Sequence, residues 1–590
     1  MDTPARLLQQ LQGDEGRTRQ KAARLVLDLA STVQASDFVE LAHAHVSGVS
    51  VLTGGQGLIQ FLRDLSADAD GKVAIPTTLN AAGCDQEKMQ EMGISIPDFL
   101  EQQFEIVHAY QRLGIEATLS CTPYDRGIES VEGLASWAES NAVCFSNTWT
   151  SLVTNRESGL SALASALTGF APRWGLHYAQ NRVPNMRVHI DCELNSLSDW
   201  SVLGDWIGKQ VRPEWSMPYG PMPYLTGLPA WISFASKKAL TAAAANYGCP
   251  MLWAEGHTAP PPLKRDEGGV VEAPNGGWQG DLTFTNEDLQ ERYRQLAPKG
   301  KVDLVVIGCP QASLEELRLT ASAVRGHMEM GVRIPDHRLW VFTSGENYQL
   351  ALHDGTIGIL EEGGALVLKD TCPEVTPYNR ERYNHLLTNS LKAEHYLTSG
   401  LNRLPTSVLP IEACVAHAVD ATLVEGEVVV AKAKPQPQHA SRKTHQEGLI
   451  SLTGSGLESQ PSYEIRGKAL VTDVPITYLG YVNRETGVIE EVGHPLDGVS
   501  IADTVFIYPK GSGSTVAPYV LMGLIYAGQA PRAVITRDVC PLSLPACSLL
   551  GLPYAHGFDA DPCMAINTGD SVLLRRTQAG VTLEVVERAS

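Results

Sequence analysis

The chain has 590 residues, of which 43% are hydrophobic and 19% charged, and its formal net charge is −20. This composition is ordinary for a globular protein of more than one domain. The acidic balance disfavours nucleic-acid binding, because such a surface repels a polyanion. No stretch has the length and apolar character of a membrane span, and the polar N-terminus does not resemble a secretory signal. We therefore expect a cytoplasmic protein.

Helical and strand patterns alternate along the first part of the chain. Helical spacing predicts helices in TRQKAARLVLDLASTV and IPDFLEQQFEIVHAYQRLG, and Ser313 with Glu316 predicts a capping box at the start of a third helix. Short apolar runs predict strands in KVAIPTTLN, IEATLSC, KVDLVVIGC and GALVLKDTC. Strands that alternate with helices are typical of a parallel α/β architecture.

A compositional boundary divides the chain into two parts. Residues 431–462 are rich in Lys, Gln, Pro, Ser and Gly with little apolar periodicity, which predicts a flexible linker. Residues 1–430 then form a large α/β region. Residues 463–590 are denser in strands, with turns at NRETG and HPLDG, and are expected to form a smaller β-rich α/β domain with at least one helix.

The cysteines indicate a possible metal site. The chain has 11 cysteines and no C-x-x-C pair, so a disulfide framework and zinc ribbons are disfavoured. Cys121, Cys309 and Cys372 each end a predicted strand and are followed, directly or one residue later, by proline. Ligands cluster at the carboxyl ends of parallel strands, so three such thiolates could hold iron. Burial as small hydrophobic side chains is the alternative.

The loop KGSGSTVAPY, residues 510–519, lies between a predicted strand and an apolar run that could be a helix. A phosphate-binding loop is disfavoured, because the G-x-x-x-x-G-K-[ST] spacing is absent. Two interpretations remain open from the residues alone. The loop could present a serine beside a helix N-terminus, where unpaired N–H groups stabilise negative charge, or it could be a plain glycine turn.

Several longer motifs in this order resemble the aconitase X family, a divergent branch of the aconitase superfamily. The motifs are AHAHVSG, IPTTLN, SCTPYDRG, WAESNAVCFSN, GCPQASLEEL, DTCPEV and TNSLKAEHY in the first part, and GKALVTDVPITYLGYVNRETGVI, HPLDGVSIADTVFIYPKGSGST and APRAVI in the last. The resemblance implies an aconitase-type large α/β region with strand-end cysteine ligands and a swivelling small domain. It also implies that the large and small subunits of many members are joined here in one chain.

The resemblance implies specific site residues. The family's iron ligands fall on Cys121, Cys309 and Cys372, and its catalytic serine falls on Ser514. We expect an iron–sulfur cluster of the [2Fe–2S] type, with mononuclear iron or [4Fe–4S] as alternatives. We also predict a set of polar loop residues as substrate-binding groups: Ser47, Thr77, Thr78, Asn80, Lys510 and Ser512.

The implied activity is that of a hydro-lyase that removes water from a small hydroxy acid. We expect dehydration of cis-3-hydroxy-L-proline to Δ1-pyrroline-2-carboxylate. Dehydration of mevalonate 5-phosphate, or of another small hydroxy acid, is the alternative. The loop at 510–519 has one lysine and no arginine, which disfavours a phosphorylated substrate. An iron-responsive RNA-binding protein is a more remote alternative, opposed by the net charge of −20.

Overall fold

The computed structural model describes residues 1–125, 131–212, 215–265, 271–423 and 450–589. Within these residues the chain forms three units with parallel sheets, followed by a unit built on a closed barrel. This confirms the α/β class predicted from the alternation of helices and strands. In the part of the chain so described, no helix combines the length and apolar character needed to cross a bilayer.

The first unit carries most of the segments that later surround the candidate site. Its helices are α1 (Ala5–Gln12), α2 (Arg17–Thr32), α3 (Val51–Ser66), α4 (Phe99–Arg112), α5 (Ser140–Trp149) and α6 (Gly159–Thr168), and its strands are β1 (Phe38–Glu40), β2 (His43–Val46), β3 (Thr77–Leu79), β4 (Gly133–Trp137), β5 (Leu152–Arg156) and β6 (Phe170–Pro172). The main sheet has the order β3-β2-β4-β5 with parallel neighbours. Strands β1 and β6 form a separate antiparallel pair.

The second and third units repeat the parallel architecture. The second contains β7 (Met186–Asp191), α7 (Leu197–Lys209), β8 (Pro223–Thr226), α8 (Phe234–Ala245), β9 (Trp253–Ala254), β10 (Gly280–Thr285) and α9 (Asn286–Leu296), with sheet order β10-β7-β8-β9. The third contains β11 (Leu304–Ala312), α10 (Leu314–Glu329), β12 (Leu339–Thr343), α11 (Gly345–His353), α12 (Thr356–Glu362), β13 (Leu366–Lys369), β14 (Leu386–Thr388), α13 (Leu391–Ser399), β15 (Thr406–Val408) and α14 (Ile411–Val419), with sheet order β13-β12-β11-β14-β15. All nine residues of β11 are buried, as expected of a central parallel strand covered on both faces.

The last unit is the β-rich part expected from the sequence. It contains β16 (Ser451–Gly456), β17 (Tyr463–Val471), α15 (Tyr478–Tyr481), β18 (Val505–Tyr508), α16 (Pro518–Tyr526), β19 (Ala533–Thr536), α17 (Leu544–Leu550), β20 (Tyr554–His556), α18 (Pro562–Ala565), β21 (Ser571–Thr577) and β22 (Gly580–Glu587). The barrel has the order β16-β20-β19-β18-β17-β21-β22. Its parallel pairs β17-β18, β18-β19 and β19-β20 place the loop after β18 at one end of the barrel.

The predicted linker at 431–462 needs a correction at its end. Residues 431–449 lie outside the described residues. Strand β16, however, falls within the predicted range and pairs antiparallel with β20 and β22. Its glycines suggested a flexible segment, but a Cβ on Gly454 would stand 2.7 Å from Cδ1 of Phe558, so close packing requires glycine there. The small domain therefore begins before residue 463.

The two parts of the chain pack directly against each other. One hydrophobic core contains Leu58 and Leu62 of α3 together with Leu521 of α16. The two helices approach closely, since a Cβ on Gly57 would stand 2.7 Å from the Cα of Gly523. At a second contact, the buried carboxylate of Asp28 accepts hydrogen bonds from the N–H of Ser459 and the hydroxyl of Ser548 in the small part. This packing places the loop after β18 against the first unit.

Candidate active site between the two parts of the chain

The three predicted ligand cysteines are buried and close enough to influence one another. Cys121, Cys309 and Cys372 are 4%, 6% and 6% exposed. Charge on Cys121 raises the pKa of Cys372, and charge on Cys372 raises that of Cys309, although burial is the larger cause in both. All three side chains are therefore buried, and these charge effects indicate that Cys372 lies near both Cys121 and Cys309.

The backbone around these cysteines differs from the sequence prediction. Only Cys372 follows a strand, β13, whereas Cys309 lies inside β11 and the segment 115–121 is not a strand. The segment keeps only an isolated bridge between Glu116 and Thr78 and a backbone bond from the N–H of Ser120 to the carbonyl of Leu79. Between them the side chain of Thr118 takes the place of a backbone partner. Its hydroxyl accepts from the N–H of Leu79 at 3.0 Å and donates to the carbonyl of the same residue at 2.8 Å. An apolar run predicts a buried segment, but it does not show that a side chain will replace a backbone hydrogen-bond partner. The strand prediction at 115–121 was therefore wrong.

Gln311 joins the segments that carry the cysteines. Its backbone N–H donates to Sγ of Cys121 at 3.3 Å, and its Oε1 accepts from the N–H of the same cysteine at 3.0 Å. Its Nε2 donates to the carbonyls of Leu119 at 3.1 Å and Thr371 at 3.0 Å. One buried amide thus fixes the spacing of the loops that hold Cys121 and Cys372. Sequence reasoning missed this residue, although it stands two positions after Cys309.

A buried charged cluster adjoins the cysteines. Lys392 Nζ lies 2.7 Å from Oε1 of Glu139 and 3.5 Å from Oε1 of Glu374. Glu374 also accepts a hydrogen bond from Sγ of Cys309 at 3.0 Å, and Glu139 accepts one from Nδ2 of Asn80 at 2.9 Å. The cluster therefore connects a predicted metal ligand with a predicted substrate-binding residue. Lys392 and Glu374 lie within recognised motifs, but no local pattern marks them as partners.

The pKa shifts in this cluster have opposite signs on its two carboxyls. Burial opposes charge on Lys392, but the carboxylates of Glu139 and Glu374 raise its pKa well above the usual value. Burial alone would raise the pKa of Glu139, but the ammonium of Lys392 and hydrogen bonds from Asn141 and Asn80 lower it. Burial raises the pKa of Glu374, and the ammonium of Lys392 lowers it by less, so the net shift is upward. Glu139 is therefore held as a carboxylate.

The cysteines suit iron–sulfur chemistry by their donor type. Cysteine sulfur is a soft donor, and iron–sulfur clusters are bound by donors of this type. The three buried thiols therefore have the right chemistry for such a cluster. Burial raises the pKa of Cys121 to about 12, so ligation needs a cation to compensate the thiolate charge. In the described residues, however, no three or more His, Cys, Asp or Glu side chains are arranged to hold a metal ion as they stand. The predicted ligand geometry is therefore not preformed.

The predicted catalytic serine lies at a small cavity between the two parts. This cavity has a volume of about 40 Å³ and is lined by Asn80, Glu139 and Glu374 from the large part and by Ser514 from the small part. Ser514 is in a turn just before α16, where its Oγ accepts from the N–H of Val516 at 3.4 Å. The structure thus brings together two residues singled out from the sequence, Ser514 and Asn80, with two carboxyl groups.

The other predicted substrate-binding residues do not line this cavity. Thr77 donates to the carbonyl of Ile75, and Thr78 shares a hydrogen bond with Nδ1 of His45. The hydroxyl of Ser512 lies 2.7 Å from that of Thr477, and Lys510 is exposed. Ser47 is buried, and within the described chain its Oγ has no hydrogen-bond partner. A substrate-binding role for these five residues stays a prediction.

Direct hydrogen bonds hold the Ser514 loop against the first unit. Arg156 Nη2 donates to the carbonyl of Gly513 at 3.1 Å, and the N–H of Gly159 donates to the carbonyl of Thr515 at 3.1 Å. Gly159 has no room for a side chain, because its Cβ would stand 2.5 Å from the carbonyl oxygen of Ser47. The residues on both sides of Ser514 are thus anchored to the large part.

Comparison with known proteins identifies the class. Sequence profiles match the aconitase X first domain at 7–180, the third domain at 302–420 and the swivel domain at 460–583. A crystal structure of Thermococcus kodakaraensis aconitase X in its holo form superposes with a TM-score of 0.61 at 28% identity. It covers 71% of this chain and all of that one. The fold and the three profiles thus define an enzyme of the hydro-lyase class. The chain belongs to the aconitase X family.

The chain is similar to dehydratases that are named for two different substrates. It is 34% identical over 391 residues to a phosphomevalonate dehydratase large subunit of Methanothermobacter thermautotrophicus, covering 65% of this chain and 91% of the relative. It is 30% identical over 427 residues to a cis-3-hydroxy-L-proline dehydratase of Pseudomonas aeruginosa, covering 69% and 68%. A phosphomevalonate dehydratase small subunit of Methanocella arvoryzae is 37% identical over 115 residues, covering 20% and 86%. Large and small subunits that are separate in some organisms are therefore joined here.

Proposed function

We propose that the protein dehydrates cis-3-hydroxy-L-proline to Δ1-pyrroline-2-carboxylate. The observation that supports this best is that Ser514 of the small part meets Asn80, Glu139 and Glu374 of the large part at one cavity. A hydroxyl from one part and carboxyl and amide groups from the other suit a polar hydroxy acid. In this substrate the leaving hydroxyl and the proton to be removed are on adjacent carbon atoms, so groups on opposite walls can act together.

Ser514 is proposed as the base that removes the proton beside the substrate carboxylate. A free serine is a weak base, so its ionised form needs donors close by. The N–H of Val516 already donates to its Oγ at 3.4 Å. The N-terminus of α16, which begins at Pro518, adds a favourable dipole for negative charge. The anchoring of Gly513 and Thr515 to the large part holds this hydroxyl at the cavity.

The large part is proposed to supply substrate orientation and the metal ligands. The carboxylate of Glu139, oriented by Asn80 and neutralised by Lys392, faces the cavity and can accept a hydrogen bond from the substrate. The side chains of Cys121, Cys309 and Cys372 would hold an iron–sulfur cluster, which we take as [2Fe–2S] rather than mononuclear iron or [4Fe–4S]. Such a cluster supplies Lewis acidity for departure of the hydroxyl.

Dehydration of mevalonate 5-phosphate is the second candidate. It is favoured by 34%, 32% and 32% identity to phosphomevalonate dehydratase large subunits of three archaea, Methanothermobacter thermautotrophicus, Methanosarcina mazei and Methanocaldococcus jannaschii. This substrate is longer than the hydroxyproline, so it needs space beyond the catalytic cavity for its phosphate. The two candidates therefore differ in what they require outside the common site.

The test is an assay of anaerobically purified protein with each substrate in turn. Turnover of the hydroxyproline, with product identified by mass spectrometry, is expected. Turnover of mevalonate 5-phosphate alone would overturn the substrate assignment. Turnover of neither, in protein shown to contain iron, would overturn both. A gel-shift assay with RNA addresses the remote RNA-binding alternative, for which the net charge of −20 predicts no binding.

A further inference from the structure

A second, larger cavity adjoins the catalytic one. It has a volume of about 920 Å³ and lies between α3 of the first unit and the segment around Arg484 in the small part. The two cavities share Leu401 as a wall, and Leu479 and Gly480, consecutive in the chain, line one each. Its remaining walls combine apolar side chains such as Leu52 and Val520 with a similar number of polar ones, including the carboxyl groups of Glu485 and Glu490. Nothing in the proposed chemistry uses this space.

Arg484 is the unexplained group in this cavity. Its Nη1 is buried, and in the described part of the chain it has no hydrogen-bond partner. Burial lowers the pKa of Arg484, and the one carboxyl that opposes this effect belongs to the exposed Glu485. The other arginine of the cavity, Arg403, differs because it pairs with Glu490 at 3.5 Å. A buried guanidinium nitrogen without an acceptor is costly, so a ligand that supplies oxygen atoms is the missing partner.

The backbone opposite Arg484 has the form of an anion site. Helix α3 is broken at Gly55, which has φ 55° and ψ −156°. The helical segment that follows has its own first turn, whose N–H groups lack carbonyl partners within the helix. Arg484 lies beside this break, because a Cβ on Gly55 would stand 3.4 Å from its Nη1. A side chain on Gly55 would therefore crowd the space between the guanidinium and the break.

We propose that this cavity binds a phosphate-type oxyanion between Arg484 and the break in α3. A guanidinium offers a planar fork of donors that matches two phosphate oxygens, and backbone N–H groups can complete the coordination. The oxyanion can come from either of two sources. One is the distal phosphate of a substrate whose reacting end occupies the catalytic cavity, a source that rests on the second candidate function, dehydration of mevalonate 5-phosphate. The other is free inorganic phosphate.

The first experiment measures inorganic phosphate binding to the full chain by calorimetry, without turnover. We compare wild type with Arg484→Met and with the matched control Arg575→Met, whose exposed guanidinium pairs with Glu464 on the barrel surface. Loss of a charge-assisted hydrogen bond weakens binding by roughly tenfold to a hundredfold. We expect that loss in Arg484→Met, a smaller loss in Arg484→Lys, and none in the control. No phosphate binding by wild type, or equal affinity in wild type and both Arg484 variants, would overturn the proposal.

The second experiment distinguishes the two sources. It compares KM for mevalonate 5-phosphate and for cis-3-hydroxy-L-proline in wild type and Arg484→Met. A substrate phosphate in this cavity predicts a rise of about tenfold in KM for mevalonate 5-phosphate with no change for the hydroxyproline. If phosphate binding responds to Arg484→Met and neither KM does, or if mevalonate 5-phosphate is not turned over at all, the ligand is free phosphate. Absence of all turnover with phosphate binding intact would contradict the dehydratase function while leaving the anion site supported.

Discussion

The hydroxyl of Tyr519, on α16 of the small part, donates a hydrogen bond of 2.8 Å to the backbone carbonyl of Ser47 in the large part. The contact is so close that Gly48 has no room for a side chain, since its Cβ would stand 2.0 Å from Cε2 of Tyr519. This buried bond ties the helix that follows Ser514 to the loop after β2. It therefore sets the position of the candidate base relative to the large part.

Removal of this hydroxyl should loosen the docking of the two parts. Tyr519→Phe leaves the carbonyl of Ser47 unsatisfied, at a cost of about 1–3 kcal/mol. We expect a lower midpoint of urea unfolding together with a lower kcat. The control is Tyr526→Phe on the same helix, whose ring is 38% exposed and which should change neither quantity. A Tyr519→Phe variant with wild-type stability and turnover would contradict a docking role for this bond.

Replacement of the candidate base should lower the turnover rate without changing the amount of bound iron. In Ser514→Ala we expect kcat to fall by about a hundredfold to ten-thousandfold while iron content stays at the wild-type level. Ser512→Ala should have a smaller effect, because that hydroxyl already pairs with Thr477 at 2.7 Å. The measurements are steady-state turnover and iron per chain. Near-normal turnover in Ser514→Ala would remove the serine from the mechanism.

Each of the three cysteines should be required for iron. Serine replacement of Cys121, Cys309 or Cys372 should reduce bound iron and visible absorbance in anaerobically purified protein, because the hydroxyl is a poor ligand for iron in a cluster. Cys192→Ser is the control, since that residue is partly exposed and lies in the second unit. A variant that keeps full iron and full activity would exclude its cysteine from the ligand set.

The buried cation of the site should be important for stability. Lys392→Met leaves Glu139 and Glu374 without their counter-charge, and breaking a buried pair in this way costs about 3–5 kcal/mol. Lys369→Met is the matched control, because its partner Glu87 is 72% exposed and such surface pairs contribute about 0–1 kcal/mol. Urea unfolding of metal-free protein at neutral pH provides the comparison. Equal unfolding free energies for the two variants would disprove the structural role of Lys392.

Glu394 on α13 should make stability depend on pH. Burial raises its pKa from 4.5 to about 7, so the folded state holds this proton more tightly than the unfolded state. The associated stabilisation is complete below the unfolded value and is lost as the pH rises through about 7. Glu394→Gln keeps the neutral form at every pH. Its stability relative to wild type should therefore increase between pH 5 and pH 8, by up to roughly 3 kcal/mol.

The matched control is Glu412→Gln, which makes the same replacement at an exposed position on α14, and all three proteins are compared by urea unfolding at each pH. Identical profiles for wild type and Glu394→Gln would show that Glu394 titrates alike in the folded and unfolded states.

Much of the fold and part of the site could be predicted because the signals were local. The capping box of Ser313 and Glu316 is present at the start of α10, since its bonds span three residues of one turn. Helices α2 and α4 follow from apolar spacing. The strand expected at 115–121 is reduced to an isolated bridge, because the N–H of Leu79 bonds to the side chain of Thr118 and not to the backbone of that segment. The predicted linker extended too far, because Gly454 of β16 was taken as a sign of flexibility. That glycine is instead required by close packing against Phe558.

The sequence by itself determined the family, the α/β class and the residue types of the chemistry, because these are carried by periodicity and by contiguous motifs. Only the tertiary structure decided which of those residues share a cavity. It joined Ser514 and Asn80, separated Thr77 and Lys510 from them, and added Lys392, Glu374 and Gln311. It also placed Arg484 beside the site, although the loop at 510–519 contains no arginine. These relationships join segments far apart in the chain: the fold of the large part brings Lys392, Glu374 and Gln311 to the cysteines, and the packing of the two parts adds Ser514 to the cavity.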